Sequence, residues 1–317
     1  MSRNLIIDAY NLFTRHYVAH PAMTKNGEQI GGFVGFFNNL VKLTDRCSPD
    51  NVIVVWEGGG SKRKRDLYPA YKNKKRPQKM NRYYDHEEIP DTVKNRNMQV
   101  SLLVQFLNNF PVTQLYVEDS EADDAIGYMC NYKLKSDQNV VLSSDHDFYQ
   151  LLGPNVIIWS PTLKKFVNTK SVLHRFNIHP NNFALAKSIS GDKSDNIPGI
   201  KGVSYKTLSK YFPKFINEAD YLIDDFFDDV KELAKVKKLK ILDTLSCVFK
   251  ENTVRRNFKL INLDVQNLSH IQTLKINEKL ENIEKIWNNI GAHKILKEHG
   301  ITSIDLIQSN FVLKKLN

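Results

Sequence analysis

The sequence predicts an α/β protein built on a doubly wound, mostly parallel sheet. Short apolar runs alternate along the first half of the chain with stretches of helical periodicity. The runs are almost continuously apolar, and strands of that kind are covered on both faces, as in parallel sheets with crossover helices. The predicted strands are residues 5–9, 51–56, 114–117, 139–144 and 155–160.

Helices are predicted between these strands and through the last part of the chain. Apolar residues recur at helical spacing in residues 31–47, 97–110 and 121–135. After about residue 180 the pattern is almost wholly helical, without an internal repeat. The expected architecture is therefore a doubly wound sheet followed by a helical C-terminal part.

The composition is that of a folded protein and excludes several classes. The 317 residues are 41% hydrophobic and 25% charged, which suits one large domain or two smaller ones. No apolar run approaches the roughly 18 residues of a membrane span, and no signal peptide is recognisable. Three widely spaced cysteines indicate neither a disulfide framework nor a zinc knuckle. We therefore expect an intracellular protein that binds no membrane.

Positive charge is concentrated in one segment. The formal net charge is +10, and residues 61–84 contain ten Lys and Arg residues against a single acid, Asp66. Such a run can be a solvated face or a disordered tail. Here four tyrosines are interleaved with the basic residues, and aromatic rings beside phosphate-neutralising cations are typical of single-strand binding. The segment is therefore a candidate nucleic-acid interface.

Acidic residues follow four of the predicted strands. Because the carboxyl ends of parallel strands meet at one edge of a sheet, these side chains should converge there. Alone, each has an ordinary explanation: "SEAD" (120–123), for example, reads as a helix capping box. The converging acids are Asp8, Glu57, the cluster Glu118, Asp119, Glu121, Asp123 and Asp124, the pair Asp145 and Asp147, and Asp192 with Asp195 in "GDKSDN".

Together these acids predict a site for divalent cations. No cluster of lysines that could compensate their charge lies among them in the sequence. Mg²⁺ prefers carboxylates and water, and two ions about 4 Å apart can clamp both oxygens of a phosphoryl displacement. The absence of CxxC and HExxH patterns argues against zinc.

The order of these motifs resembles the flap endonuclease and 5′-nuclease family, which includes the 5′-nuclease domain of bacterial DNA polymerases. The matching stretches are "IIDAYN", an acid after the second strand, "YKNKKR", "EADD", "SSDHDF" and "GDKSDNIPGIKG". Phage 5′-3′ exonucleases, including those of ribonuclease H type, look most similar, since "PNVIIWSPTLKKFV" also resembles a stretch of theirs. The resemblance covers about residues 1–215, and residues 216–317 contain no motif of use.

The resemblance implies a PIN-like fold with a helical arch over the active site and a helix-three-turn-helix element. On that basis residues 1–180 would form the catalytic α/β domain, with the basic arch at about 61–99. Residues 181–317 would form the helix-three-turn-helix and the helical C-terminal region.

The resemblance also assigns roles to individual residues. Asp8, Glu57, Glu121 and Asp123 would serve a first metal ion, and Asp145, Asp147 and Asp192 a second, with Asp124 and Asp195 in support. Lys72 and Lys187 would be catalytic lysines. The DNA-binding residues would be Tyr71 as a stacking surface, Lys75, Arg76, Gly199, Gly202 and Lys206, and the 199–204 hairpin would also hold K⁺.

Three positions depart from the family pattern. Glu57 stands where Asp is usual, and Lys75 with Arg76 stands where a single Arg is usual. Ser204 replaces a glycine of the hairpin, so we expect backbone strain there.

The function predicted at this point is that of a metal-dependent, structure-selective 5′-nuclease. It would act as a 5′-flap endonuclease and 5′-3′ exonuclease with Mg²⁺, for which Mn²⁺ can substitute. The expected setting is RNA primer removal in phage DNA replication, in the host cytoplasm, by a monomer that binds 5′-flap DNA or an RNA–DNA primer junction. A phage single-stranded-DNA-binding protein or sliding clamp would be its partner. Two alternatives stay open: a PIN-type endoribonuclease and a noncatalytic protein that binds DNA junctions.

Overall fold

A computed structural model describes residues 1–73, 80–85, 87 and 92–316. The predicted fold class is confirmed. Lys75 and Arg76, two of the expected DNA-binding residues, lie outside the described residues.

The described residues contain one six-stranded sheet with the order β3-β2-β1-β4-β5-β6. Neighbouring strands are parallel except for β6, which pairs antiparallel with β5. The strands are β1 Arg3–Asp8, β2 Asn51–Trp56, β3 Thr113–Tyr116, β4 Gln138–Leu142, β5 Val156–Ser160 and β6 Lys165–Val167. Strand β6 escaped prediction because three residues are too few to show a period.

Helices account for most of the remaining described chain. The first eight are α1 Ala9–Ala19, α2 Gly31–Cys47, α3 Lys62–Leu67, α4 Val93–Leu107, α5 Ala122–Tyr128, α6 Thr169–Phe176, α7 Phe183–Ser190 and α8 Tyr205–Tyr211. They are followed by α9 Ile223–Val236, α10 Lys240–Leu245, α11 Val248–Ile261, α12 His270–Glu281, α13 Asn289–Glu298 and α14 Leu306–Leu313. Helix α2 has the predicted bounds, whereas the predicted helix 121–135 is α5 continued by a π-helical turn, Met129–Lys133.

The capping box that would have been the ordinary explanation of "SEAD" is absent at α5. The helix is preceded by Glu121, whose side chain makes no capping hydrogen bond. The hydroxyl of Ser120 instead donates to the carbonyl of Val117 at 2.8 Å. Glu121 is therefore left to point into the acidic edge of the sheet.

Two hydrophobic cores lie on the two faces of the sheet. On one face the strands pack with α2, α4 and the last helices, through residues such as Phe37, Phe106 and Leu313. On the other face they pack with α5, α7 and α11, through residues such as Phe183 and Val254. Residues before and after position 180 contribute to both cores, so the C-terminal helices cover the sheet directly.

Across the described ranges, the helices are all too short or too polar to cross a membrane.

Candidate functional site

The carboxyl edge of the sheet gathers most of the acids as predicted, whereas Glu118 and Asp119 are exposed and belong to neither of the carboxylate groups described below. Asp8 is the last residue of β1, Glu57 follows β2, and Asp145 follows β4. Strands β1, β2 and β4 are adjacent and parallel. Burial raises the pKa of Asp8 to about 7, and the nearby charges of Asp145 and Asp123 add to this effect. The acids thus lie close enough to repel one another.

Within the described residues two groups of carboxylates are arranged like cation ligands. In each group, one carboxylate oxygen from every residue lies within 4.8 Å of those from the other two residues. The groups are Glu121 with Asp123 and Asp124, and Asp147 with Asp192 and Asp195. Burial also raises the pKa of Asp147 to about 7. Carboxylates crowded together in this way are a donor set of hard oxygens that suits a divalent ion such as Mg²⁺.

Glu57 lies at the solvent side of this cleft. Its side chain is exposed, but its pKa is raised by partial desolvation and by the charges of Asp123 and Asp8. One of its oxygens accepts a long hydrogen bond, 3.4 Å, from the backbone N–H of Ala122. The extra methylene of Glu therefore still allows the carboxylate to reach the start of α5.

The expectation that no cluster of lysines compensates the acids is wrong. The Lys64 ammonium lies 2.9 Å from Asp124 and 3.0 Å from Glu121 and is almost completely buried. Sequence reasoning missed Lys64, because it looks like any other member of a basic run and is separated by 57 residues from Glu121. Only the fold brings it to the acids.

The two lysines expected to be catalytic are also in the cleft. Lys72 Nζ is 2.6 Å from Glu121, and Lys187 Nζ is 2.6 Å from Asp192 and pairs with Asp147 as well. Burial alone would lower the pKa of Lys187, but Asp147 and Asp192 raise it above its ordinary value. Both lysines therefore stay cationic beside the acids.

Asp124 interacts with the protein through both oxygens. One pairs with Lys64, and the other accepts a 2.7 Å hydrogen bond from the side-chain amide of Asn267. The amide oxygen of Asn267 in turn accepts from Arg63 at 3.1 Å. Asp124 thus supports the cluster by holding Lys64, and Asn267 connects it to α3. Nothing in the sequence around Asn267 signalled this role.

The structure corrects the expected role of Tyr71. Its ring is 4% exposed and packs with Ala184, Ile197 and Ile261, so it offers no free face for stacking. Its hydroxyl donates a 2.7 Å hydrogen bond to Glu121. Tyr71 is retained in the interior because it satisfies a buried carboxylate while its ring fills an apolar pocket.

The basic segment is attached to the loop that carries Asp192 and Asp195. The backbone N–H of Lys72 donates to the carbonyl of Asp195 at 2.9 Å, and the Asn196 side chain donates to the carbonyl of Ala70 at 2.7 Å. The start of the expected arch is therefore positioned by the second acid group.

The 199–204 hairpin differs from expectation in two respects. A Cβ at Gly199 would lie 2.0 Å from the carbonyl oxygen of Ser190, so this glycine permits close internal packing. Ser204 has φ −120° and caps α8 by accepting from Thr207 N–H, so the expected strain is absent. Gly202, at φ +84°, faces open space and Lys206 is exposed, as a phosphate-binding turn requires.

A further residue missed by the sequence reasoning orients Asp8. The hydroxyl of Ser143 donates to Asp8 at 2.9 Å and accepts from the backbone N–H of Asp145 at 3.1 Å. The carboxylate of Asp8 also caps α1 through Asn11 N–H. The "SSD" motif contained this serine, but sequence alone could not show that it bridges two strand ends.

The raised pKa of Asp8 predicts a pH-dependent stability of the metal-free protein. The folded state favours the protonated carboxyl, so this contribution is complete below pH 3.8 and is lost as the pH rises to about 7. Asp8→Asn should remove this contribution to the pH dependence and stabilise the protein at pH 8 by up to about 4 kcal/mol, since one pKa unit corresponds to about 1.4 kcal/mol. Urea unfolding in EDTA at pH 5 and pH 8 measures both effects, with Asp220→Asn as an exposed control. A variant no more stable than the wild type at pH 8 would contradict the expectation.

The Lys64–Asp124 contact predicts a second stability effect. Lys64→Met should destabilise the protein by about 3–5 kcal/mol because it leaves buried carboxylates without their counterion. Adding Asp124→Leu should restore part of the loss, which a double-mutant cycle of urea unfolding would detect. Additive losses would show that the two side chains do not interact.

Comparison with known proteins places this geometry in a family. A family model described as the 5′-3′ exonuclease, N-terminal resolvase-like domain, matches residues 3–177. DNA polymerase I of Caldicellulosiruptor bescii is 25% identical over 98% of this chain but only 35% of its own length. The 5′-3′ exonuclease of Aquifex aeolicus is 24% identical over 92% of this chain and 98% of its own.

The fold also matches a solved structure. The flap endonuclease D15 of bacteriophage T5, in a pseudo-enzyme–product complex with DNA and metal ions, superposes with a TM-score of 0.65 at 19% identity. The match covers 97% of this chain and 99% of that one. Since the family model spans more than half of the residues and the architecture agrees, the chain belongs to the 5′-3′ exonuclease family of hydrolytic nucleases.

Proposed function

We propose that this chain is a divalent-metal-dependent 5′-nuclease that cuts a DNA strand near a junction between single strand and duplex. The observation that carries the proposal is the convergence of two carboxylate triads on one edge of the sheet. The T5 relative, whose described complex contains DNA and metal ions, supports the choice of substrate.

The residues present fit two hard cations. Asp8, Glu57, Glu121 and Asp123 would hold one, and Asp145, Asp147 and Asp192 the other, with Asp195 beside them. We propose Mg²⁺, with Mn²⁺ able to replace it, because all donors are carboxylate oxygens. When bound, such ions stabilise negative charge on the oxygens of a phosphodiester as it is displaced.

The lysines of the cleft would bind and orient the scissile phosphate. Burial alone would lower the pKa of Lys72, but the charges of Asp123, Glu121 and Asp195 raise it above its ordinary value. The side chain of Lys72 is 33% exposed, whereas that of Lys64 is 3% exposed. Lys72 is thus the fixed cation that an incoming phosphate can reach, and Lys64 is a structural counterion.

We extend the proposal to the biological setting. The substrate would be a 5′ flap or an RNA–DNA primer junction, and the reaction would remove primers during phage DNA replication in the host cytoplasm. The chain would act as a monomer, with a single-stranded-DNA-binding protein or a sliding clamp as partner. The open backbone at Gly202 would accept a duplex phosphate, and the 199–204 hairpin would hold K⁺.

One experiment separates this proposal from the two alternatives. Purified protein is incubated with a labelled 5′-flap substrate and with a structured RNA, with Mg²⁺ and with EDTA. The proposal requires that the flap is cleaved in Mg²⁺ and is not cleaved in EDTA. Cleavage of the RNA but not the flap would favour an endoribonuclease, and binding without cleavage a noncatalytic protein.

The acids should be needed for cleavage but not for DNA binding. Asp145→Ala should lower the cleavage rate at least about a thousandfold and change the dissociation constant for flap DNA by less than about tenfold, because phosphate contacts dominate affinity. Single-turnover kinetics and fluorescence anisotropy measure the two quantities. Cleavage at the wild-type rate in Mg²⁺ would exclude a metal-ligating role for Asp145.

The hairpin should matter for duplex-containing substrates. Lys206→Ala removes an exposed cation next to the open turn at Gly202, so cleavage of a flap on a duplex should fall about tenfold and cleavage of a plain single strand should fall little. Rates on the two substrates are compared in parallel, with Lys237→Ala as an exposed control. Equal losses on both substrates would show that this turn does not bind the duplex.

A further inference from the structure

A second basic surface lies beside the acids, on β6, α6 and the turn before β6, to which no function has been assigned above. Residues 148–191 contain no Asp or Glu. Four of the basic residues in this stretch, Lys164, Lys165, Lys170 and Arg175, are exposed. Within the described residues none of the four forms an ion pair, so their charge faces solvent.

Three of these cations line a groove between β6 and α6. The groove has a volume of about 770 Å³. Lys165, Lys170 and Arg175 contribute to its rim, together with His174. Its floor is apolar and aromatic, and includes Val167, Val172, Tyr149 and Phe176.

The groove lies next to the acidic edge of the sheet. Tyr149 belongs to the 3-10 helix His146–Leu151, which also carries Asp147. The exposed ring of His146 stacks on Tyr149 with centroids 4.7 Å apart and makes an edge-to-face contact with Phe176 at 5.7 Å. The turn between β5 and β6 is hydrogen-bonded to the same edge. The hydroxyl of Thr162 donates to the hydroxyl of Ser144 at 2.9 Å and accepts from the Arg15 guanidinium at 3.0 Å.

A cationic rim over an apolar, aromatic floor matches the chemistry of an unpaired nucleic-acid strand. The rim would neutralise phosphates, and the exposed His146 ring would stack on a base. A duplex backbone presents phosphates and sugars, which use the cations but leave the apolar floor without a partner.

We propose that the groove between β6 and α6 binds an unpaired segment of the substrate strand as it runs past the acids. The occupant is single-stranded nucleic acid, with phosphates on Lys170 and Arg175 and a base against His146. This proposal rests on the proposed nuclease function for the identity of the strand, but it makes a separate claim about where that strand lies.

The test measures binding without cleavage. The double variant Lys170→Gln, Arg175→Gln removes two rim charges and keeps polar side chains of similar reach. The matched control, Lys294→Gln with Lys297→Gln, removes two exposed charges from α13, whose Ala292 and Leu296 pack in the core on the opposite face of the sheet. Affinity for an oligothymidylate of about 15 nucleotides, within the range of single-strand site sizes, is measured in EDTA as a function of salt.

The expected result is specific to the groove variant. Its affinity should fall about fivefold to tenfold at low salt. The slope of log K against log salt should decrease by about 1.4, the value for two phosphate contacts on a single strand. The control should stay within twofold. An unchanged slope in the groove variant, or equal losses in both variants, would overturn the proposal.

Photo-cross-linking locates the strand independently of affinity. A thiothymidine-substituted strand should label peptides from residues 146–176, and labelling confined to other regions would overturn the proposal. If the groove variant lost affinity for duplex DNA but kept its affinity for the single strand, the proposal would also be overturned. Flap cleavage by the wild-type protein in Mg²⁺ is assayed separately, so failure of the nuclease function and failure of the groove give different results.

Discussion

Electrostatic repulsion among the carboxylates at one edge of the sheet is the constraint on which the rest of the site depends. Parallel neighbours β1, β2 and β4 bring Asp8, Glu57 and Asp145 to the same edge. In the metal-free protein, burial raises the pKa of Asp8 and of Asp147 to about 7. Buried carboxylates this close together stay ionised only beside cations, which accounts for the lysines that lie against them.

The chain supplies part of the compensating charge itself, from distant segments. Lys64 and Lys72 come from the basic segment, and Lys187 comes from α7. Their ion pairs join the expected arch and the C-terminal part to the acids. Ammonium groups and divalent ions are alternative counterions for the same carboxylate oxygens.

The residues that hold Lys64 show why the C-terminal region belongs to the site. Asn267 bridges Asp124 and Arg63, and α13 and α14 complete the core under α2 and α4. The last third of the chain, which has no recognisable motif, therefore positions residues of the cleft. Its contribution is packing and hydrogen bonding, which leave no short signature in a sequence.

The sequence by itself determined the sheet, helix α2 and the convergence of the acids. Continuous apolar runs report burial on both faces, and the parallel arrangement then places every strand-end acid at one edge. The resemblance added the lysines at positions 72 and 187, because their motifs are local. These features share one property: each is specified within a few neighbouring residues or by the order of the strands.

Only the tertiary structure decided which basic and aromatic side chains enter the cleft. Lys64 and Tyr71 look like surface residues of a basic run, yet both are buried against Glu121. Ser204 looked strained but is an ordinary helix cap, and β6 was too short to show a period. Charge compensation acts through space, between residues that are far apart in the chain. The sequence pattern therefore indicates the acids, but it does not indicate which cations lie against them in the folded protein.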